Sequence, residues 1–463
     1  MNDITAIFAF LKYCLGYKRN MSRMIAGMDW QELYSFASKQ ALLGLSFEGI
    51  ERLGKEYSEE LRLNPIGREL LMTWMGKAQQ IRRQNMKVNA VASKLYSMLR
   101  EDGLRCCILK GQGNALIYPN AYSRNPGDID VWVNASRERI MEYAQKKFEL
   151  GDDIRLQHLE TSLDGVPVEL HFFPCSMNNP IYHARLQKWF RRNADLQCSH
   201  IVGLPDGAGD IAIPTTAFNV VYQLTHLYHH FFDEGIGMRQ IIDYFLVVND
   251  FSKNVFLDTD FSNHPVPLSK EGSTFSPSPS SSGSGDVTAP SWCSEPLRSK
   301  DGGPSKVSPN CAGWDRRDVS GDTGSVSCSS ASSITSVSTA STTDSYASTA
   351  LDVAQRELKY LGLWKFAGAV MYVLKEVLGL SEDKMIVPVD EKRGRLLLAE
   401  ILDGGNFGRH FSKYGGFTHQ SMGKKYFLKI WRNMHFVRYY PAEALCEPLF
   451  RTWHFFWRLK YKK

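Results

Sequence analysis

Two neighbouring β-like runs, 156–163 and 166–173, are joined by Asp164-Gly165, and hydrophobic and polar residues alternate in the second. Alternation at period two marks half-buried β-strands, and Asp-Gly supplies the positive φ that a two-residue hairpin turn demands. In the second run Val166, Val168, Leu170 and Phe172 alternate with Glu169, His171 and Phe173. Glu169 and His171 therefore share one face of the predicted hairpin. Residues 105–109 read as a further buried strand, apolar from Cys106 on, and residues 126–133 as another through β-branched and aromatic side chains.

Outside these runs the apolar spacing is helical. Ile7, Phe8, Leu11, Cys14 and Leu15 begin a helical region that continues to about residue 100, punctuated by Gly44, Gly49 and Pro65. Residues 136–150 read as a helix with Ser136 as its N-cap, though Arg139 stands where a capping box would place Glu or Gln. After Pro214, a stripe of Phe218, Val221, Leu224, Thr225 and Tyr228 predicts another helix, broken at residues 235–237 and resumed over 238–248. From about 252 to 350 the composition turns to Ser, Thr, Gly and Pro, too poor in periodic apolar residues to offset the entropy of ordering. Helical periodicity returns from Leu351 through Leu361, Leu363, Phe366, Val370 and Val373.

The pattern predicts an α+β fold, a small mixed sheet flanked by N- and C-terminal helical regions, with a disordered insert. No series of βαβ units follows the strands, which excludes a doubly wound sheet. The expected divisions are an N-terminal helical region 1–98, a core 99–204, a helical region 205–251, the insert 252–350, and a second helical part 351–463 with a basic aromatic tail.

Composition sharpens this only in places. The 463 residues are 43% hydrophobic, enough for substantial cores, and the net charge of +6 suits phosphate ligands without indicating a nucleic-acid binder. Nine scattered cysteines lack CxxC pairs and read as free thiols of a reducing compartment. No leader peptide and no run of the roughly 20 apolar residues a membrane span needs is apparent, so a cytoplasmic protein is expected.

The candidate chemistry lies on the strands. Asp128 and Asp130 sit two apart, so both carboxylates leave one face of a strand, where they can hold a divalent metal. Lys110-Gly111 ends the preceding strand, where a backbone without Cβ can approach phosphate. Paired metal ions need further oxygen ligands, and Glu169 completes an acidic cluster if the hairpin lies beside the Asp-x-Asp strand.

Leu109-Lys110-Gly111, Arg124, Gly127-Asp128-Ile129-Asp130 and Val168-Glu169-Leu170-His171 together resemble the uncharacterised nucleotidyltransferase family of the polymerase-beta-like superfamily. Later segments extend the resemblance: His226 with Gly235-Ile236-Gly237-Met238-Arg239-Gln240 and Asp243, then Gly404-Gly405-Asn406-Phe407-Gly408. It implies transfer of a nucleoside monophosphate from an NTP to an acceptor hydroxyl, with release of pyrophosphate. Asp128, Asp130 and Glu169 would hold two Mg2+ ions, and Lys110, Gly111, Gln112, Arg124 and Arg239 would meet the nucleotide. One position departs from the superfamily pattern, since Gly111-Gln112 stands where a Gly-Ser pair is usual. That departure also fits a second reading, a catalytically inactive nucleotide-binding or membrane-surface scaffold, which retention of all three carboxylates opposes.

Several residues admit plainer roles. His171 suits a satisfied imidazole behind the carboxylates better than a ligand of magnesium, which prefers oxygen. Arg124 fits a loop anchor as well as a phosphate contact, and Arg239 either neutralises a phosphate or pairs with Asp243 one turn on. His226 and His230 have a zinc-compatible spacing but no third ligand nearby in sequence. In the C-terminal stretch, Lys424, Lys425, Lys429, Trp431, Arg432, Trp453, Phe455, Phe456, Trp457 and Arg458 mix cations with aromatics. They fit an amphipathic helix packed on the domain first, peripheral contact with an anionic membrane surface next, and nucleic acid last.

Overall fold

Four strands, β1 (Cys106–Leu109), β2 (Ile129–Val133), β3 (His158–Leu163) and β4 (Val166–His171), pair in the order β1-β2-β4-β3. β1 and β2 are antiparallel, β2 and β4 parallel, and β4 and β3 antiparallel, which makes the sheet mixed as expected. The hairpin turns at Asp164 and Gly165, with φ of 50° and 70°, so both central residues occupy the left-handed region that a two-residue turn requires. The last bridge of β4 is His158–His171, two residues short of the run's expected end at Phe173.

This computed structural model describes residues 3–150, 155–254, 340–411 and 422–461. Among them, α1 (Asp3–Cys14), α2 (Ser22–Ala26), α3 (Trp30–Lys39), α4 (Leu43–Glu56), α5 (Ser58–Leu63) and the long α6 (Arg68–Glu101) precede the sheet. α7 (Gly111–Ala115) follows β1, α8 (Arg137–Lys147) follows β2, and α9 (Pro180–Ser199) follows β4. A ribbon of β5 (Ile201–Gly203) and β6 (Asp210–Ala212) leads to α10 (Thr216–Asp233) and α11 (Met238–Asn254). The later helices are α12 (Ala340–Tyr360), α13 (Trp364–Leu378), α14 (Glu391–Gly404), α15 (Met422–Met434), α16 (Pro441–Ala444) and α17 (Glu447–Tyr461). Ser136 caps α8 by accepting from the Arg139 N–H at 3.3 Å, the role its position predicted.

Period-two alternation gives the sheet two different faces. Ile129, Val131, Val133, Val166, Val168 and Leu170 pack against Val88, Val91, Leu95 and Leu99 of α6 and Ile140 of α8. Each such aliphatic side chain, fully buried, contributes roughly 1.5–3 kcal/mol. On the other face Cys107, Leu109 and Trp132 join the larger helical core, where the Trp132 ring stacks 6.3 Å from Phe218 of α10. Asp130 alternates with Val131 and so lies on this helix-facing side, beside Trp132 in sequence register.

α6 crosses the division expected at residue 98 and supplies one wall of the sheet's core. The insert expected at 252–350 lies largely outside the described residues; at its edges, residues 252–254 end α11 and 340–350 begin α12. Residues 1–264 and 339–463 form one compact unit, which holds everything described below. No helix among the described residues is long and apolar enough to cross a membrane.

Candidate active site

The site forms where β1 ends. Lys110 adopts φ 52° and ψ −130°, a sparsely populated conformation for a residue with a Cβ, and Gly111 follows at φ 40°. This reversal leads into α7, and Lys110 Nζ lies 3.1 Å from Asp130 Oδ2 and 2.7 Å from His226 Nε2 of α10. Asp130 is the register partner of Glu169 across the parallel β2–β4 pair, which puts both side chains on one face of adjacent strands. His171, two residues beyond Glu169 on the same face, reaches Asp130 Oδ1 at 3.0 Å and Glu169 Oε2 at 3.1 Å through Nε2. Asp128, just before β2, is close enough that the charges of Asp130 and Glu169 both act on it.

The electrostatics divide the two aspartates. The negative charge of Asp130, then burial, then Glu169 raise the Asp128 pKa to about 6. For Asp130, burial pushes upward, but Lys110 and His171 outweigh it and hold the carboxyl well below its usual range. Burial would discharge His171, yet its hydrogen bonds to Asp130 and Glu169 raise it to about 9. Three carboxylates thus face Lys110 and the imidazolium of His171, an under-neutralised oxygen-donor set suited to a hard divalent cation.

Geometry also brings in His158, which the strand pattern left unremarked. It pairs with His171 across the hairpin, and its Nδ1 lies 3.3 Å from Glu169 Oε2. That approach lacks hydrogen-bond alignment, so both its ring nitrogens are buried without a hydrogen-bond partner. His158, Glu169 and His171 have ligand atoms within 4.8 Å of one another. Two imidazoles and one carboxylate suit zinc better than magnesium. Without a metal, the hydrogen bonds of His171 Nε2 to Asp130 and Glu169 make it a partner of the carboxylates. Hairpin register could have found His158: counting back from Asp164-Gly165 pairs it with His171.

The other expected nucleotide contacts divide. Arg124 is buried and uses its guanidinium fork on Asp243, with Nε and Nη2 each 2.8 Å from a carboxylate oxygen. Tyr118 donates to the same carboxylate at 2.7 Å. Asp243 is therefore the partner of Arg124, and the Arg239–Asp243 pair considered from the helical spacing gives way to it. Arg239 instead donates to the Asn125 carbonyl at 3.0 Å, lies over Phe407, and keeps Nε buried without a hydrogen-bond partner. Gln112 is turned away: its buried amide donates to Asn89 of α6, leaving the Gly111-Gln112 turn without a side-chain hydroxyl or amide facing the carboxylates.

Lys110, Gly111, Asp128, Asp130, Arg239 and Phe407 are among the residues lining one cleft. Phe407 reaches it because residues 404–408 interlock with the turn between α10 and α11. A Cβ on Gly237 would lie 2.6 Å from Asn406 Cα, and one on Gly408 would lie 1.9 Å from the Glu234 carbonyl. His226 and His230 do not form the zinc pair their spacing allows; their Nε2 atoms are 2.9 Å apart, with His226 accepting from Lys110. Burial, then the Lys110 charge, hold His226 far below the usual imidazole range, consistent with that accepting role.

Neither a curated protein nor a solved structure matches this chain. A family described as an uncharacterised nucleotidyltransferase matches residues 26–261, just over half of its length, from the N-terminal helices through β1 to β4 and α11. The 404–408 segment lies beyond that span, although Phe407 shares the cleft. Nucleotidyl transfer is thereby supported as the general activity, and the chain belongs to this nucleotidyltransferase family.

Proposed function

We propose that the protein is a metal-dependent nucleotidyltransferase that joins the α-phosphate of a nucleoside triphosphate to an acceptor hydroxyl and releases pyrophosphate. The observation that carries this reading is the convergence of Asp128, Asp130 and Glu169 beside Lys110. Those carboxylates would hold two Mg2+ ions, since they supply oxygen donors and carry more negative charge than Lys110 and His171 offset. Bound there, the cations would lower the pKa of the attacking hydroxyl and offset charge on the attacking and leaving oxygens. Lys110 and the Gly111 backbone meet the triphosphate, and the unpartnered Nε of Arg239 supplies a further donor from across the cleft. Arg124 acts one step removed: its ion pair with Asp243 pins the loop that delivers Asp128. The free thiols fit a cytoplasmic setting.

The test begins with calorimetric titration of nucleoside triphosphates with Mg2+, Mn2+ or Zn2+, followed by incubation of α-labelled triphosphate with cell extract and mass analysis of labelled products. Expected are Mg2+- or Mn2+-dependent binding and stoichiometric pyrophosphate release. Strong Zn2+ binding that survives Asp128→Asn, without Mg2+-dependent nucleotide binding, would assign the His158–Glu169–His171 group instead. A parallel incubation with γ-labelled triphosphate that labels the acceptor, while the α-label stays on the nucleotide, would overturn nucleotidyl transfer.

A specific observation favours peripheral membrane contact as an added property. On α15, Phe427, Trp431 and Met434 recur at helical spacing and are 70, 52 and 47% exposed, and on α17 Leu449, Trp453 and Phe456 are 73, 51 and 62% exposed. The helices pack together, joined by a Tyr426–Thr452 hydroxyl contact, and carry the exposed bases Lys424 and Arg458. Apolar stripes with bases beside them suit the interface of an anionic bilayer. Co-sedimentation with phosphatidylserine vesicles should exceed that with phosphatidylcholine and be lost in Trp431→Glu/Trp453→Glu; equal sedimentation of both proteins would remove this reading.

A further inference from the structure

A second cavity, of about 140 Å³, opens beside the hairpin and is lined in part by His158, which shares the sheet face of Glu169 and His171. His158 lines it while standing 3.3 Å from Glu169, so the cavity adjoins the carboxylate cluster through that imidazole. Its other walls come from α10, from the segment after β4, and from α17. Nothing in the nucleotide reading uses this space.

Its chemistry narrows what it holds. Every charged side chain on its wall already has a partner: Arg155 pairs with Glu160 at 2.7 Å, Asp233 with Lys429 and Arg451 at 3.1 Å each, and Glu447 with Arg451. Net charge inside is thus balanced without a ligand. What remains is neutral hydrogen-bonding capacity: Nε2 of His454 and both nitrogens of His158 are buried without hydrogen-bond partners, and Ser176 and Asn178 stand beside them. Burial holds His229 and His454 below the usual imidazole range, which keeps these walls uncharged near neutrality. Phe450 adds an apolar surface. A charged ligand would have to break the internal ion pairs, whereas a compact molecule rich in hydroxyls satisfies the orphaned nitrogens and leaves its C–H face for Phe450.

We propose that this cavity is the acceptor site and that the acceptor is a small, uncharged polyhydroxyl compound, a sugar or polyol. The inference rests on the nucleotidyl-transfer reading for its chemistry but not for its binding. One hydroxyl oxygen of the acceptor, presented past His158, forms a bond to the α-phosphorus. The bond from that phosphorus to the oxygen bridging toward the β-phosphate breaks, pyrophosphate leaves with the electron pair, and the hydroxyl proton passes to solvent. The product is a nucleoside monophosphate esterified to the sugar or polyol.

Binding is tested on the full chain by saturation-transfer NMR with glucose, myo-inositol, glucosamine and glucose 6-phosphate, each with and without magnesium-nucleotide. Glucose and myo-inositol should show transfer, and the cationic and anionic sugars should not. Ser176→Leu, which fills the cavity, should abolish the signal while leaving magnesium-nucleotide affinity within about twofold of wild type. Because a filled cavity can impair folding, His454→Phe provides a second variant that keeps the ring and removes the unpartnered nitrogen; it should weaken the neutral sugars by about tenfold. Preference for a charged sugar, signals that persist in both variants, or no signal from any neutral sugar would overturn the proposal. Loss of magnesium-nucleotide binding in the wild-type protein, with sugar binding intact, would instead overturn the nucleotidyl-transfer reading.

Discussion

Asp128, just before β2, and Asp130, within it, stand two positions apart yet meet different surroundings. Asp130 is held by Lys110 and His171, whereas Asp128 is crowded by Asp130 and Glu169. In metal-free protein, Asp128→Asn removes repulsion and should raise stability by about 1–2 kcal/mol, while Asp130→Asn removes the partner of two cations and should lower it. Both should abolish magnesium-dependent nucleotide binding or slow turnover by roughly 10²-fold or more. Thermal melts without metal, paired with calorimetry and turnover, check this; a destabilised Asp128→Asn would remove the crowding account. Glu169→Gln should slow the chemical step more than it weakens nucleotide binding, because both aspartates remain. Glu160→Gln serves as the control, lying opposite Glu169 on β3 with Arg155 as its partner. If single-turnover rates fall in the control and not in Glu169→Gln, the third carboxylate is misassigned.

Between residues and the whole chain stands the interlock of residues 404–408 with the α10–α11 turn. Gly408 has φ 61° and no space for a Cβ beside the Glu234 carbonyl, so Gly408→Ala should cost roughly 1–3 kcal/mol. Since Phe407 lines the nucleotide cleft next to Arg239, the same substitution should weaken nucleotide binding without touching a carboxylate. A lowered melting temperature with unchanged nucleotide affinity would show that Phe407 is only packing. The comparison of elements also explains what could be read from sequence. β3 and β4 were legible because alternation and the Asp164-Gly165 turn are local, and with them the face shared by Glu169 and His171. Their alignment beside Asp128 and Asp130 required only that the hairpin join β2. The partners that helices bring from far along the chain had no local signature: Asn89 taking up Gln112, Asp243 taking both arms of Arg124, and Phe407 closing the cleft across more than 150 residues of sequence from Arg239. Apolar periodicity identifies the buried face of a helix, but not which strand end that face will meet.

At the scale of the whole molecule, a buried carboxyl helps tie the C-terminal helices to the segment leaving the sheet. Glu443 of α16 accepts from the backbone N–H groups of Asn178 and Asn179, at 2.5 and 3.2 Å, immediately before α9 begins. Those two donors favour the carboxylate, but nearly complete burial outweighs them and raises the pKa from 4.5 to about 7, with the charge of Glu447 acting in the same direction. Cys446, Tyr228 of α10 and Cys175 are the other titratable groups that feel its charge, and all three have thiol or phenol pKa values raised by burial, so none ionises in the same window. A folded-state pKa above the unfolded value means that the folded protein holds this proton more tightly. The associated stabilisation is complete below about pH 4.5 and is lost as pH rises through about 7, a change on the order of 3 kcal/mol from this group. Urea unfolding should therefore show stability falling between about pH 5 and 8, and Glu443→Gln should flatten that part of the profile because its amide cannot ionise. The variant also keeps an oxygen to accept one of the two N–H groups, so it should remain folded at a moderate cost. An unchanged slope in Glu443→Gln would mean that the carboxyl is already ionised in the folded protein and that the paired N–H groups, rather than burial, control it.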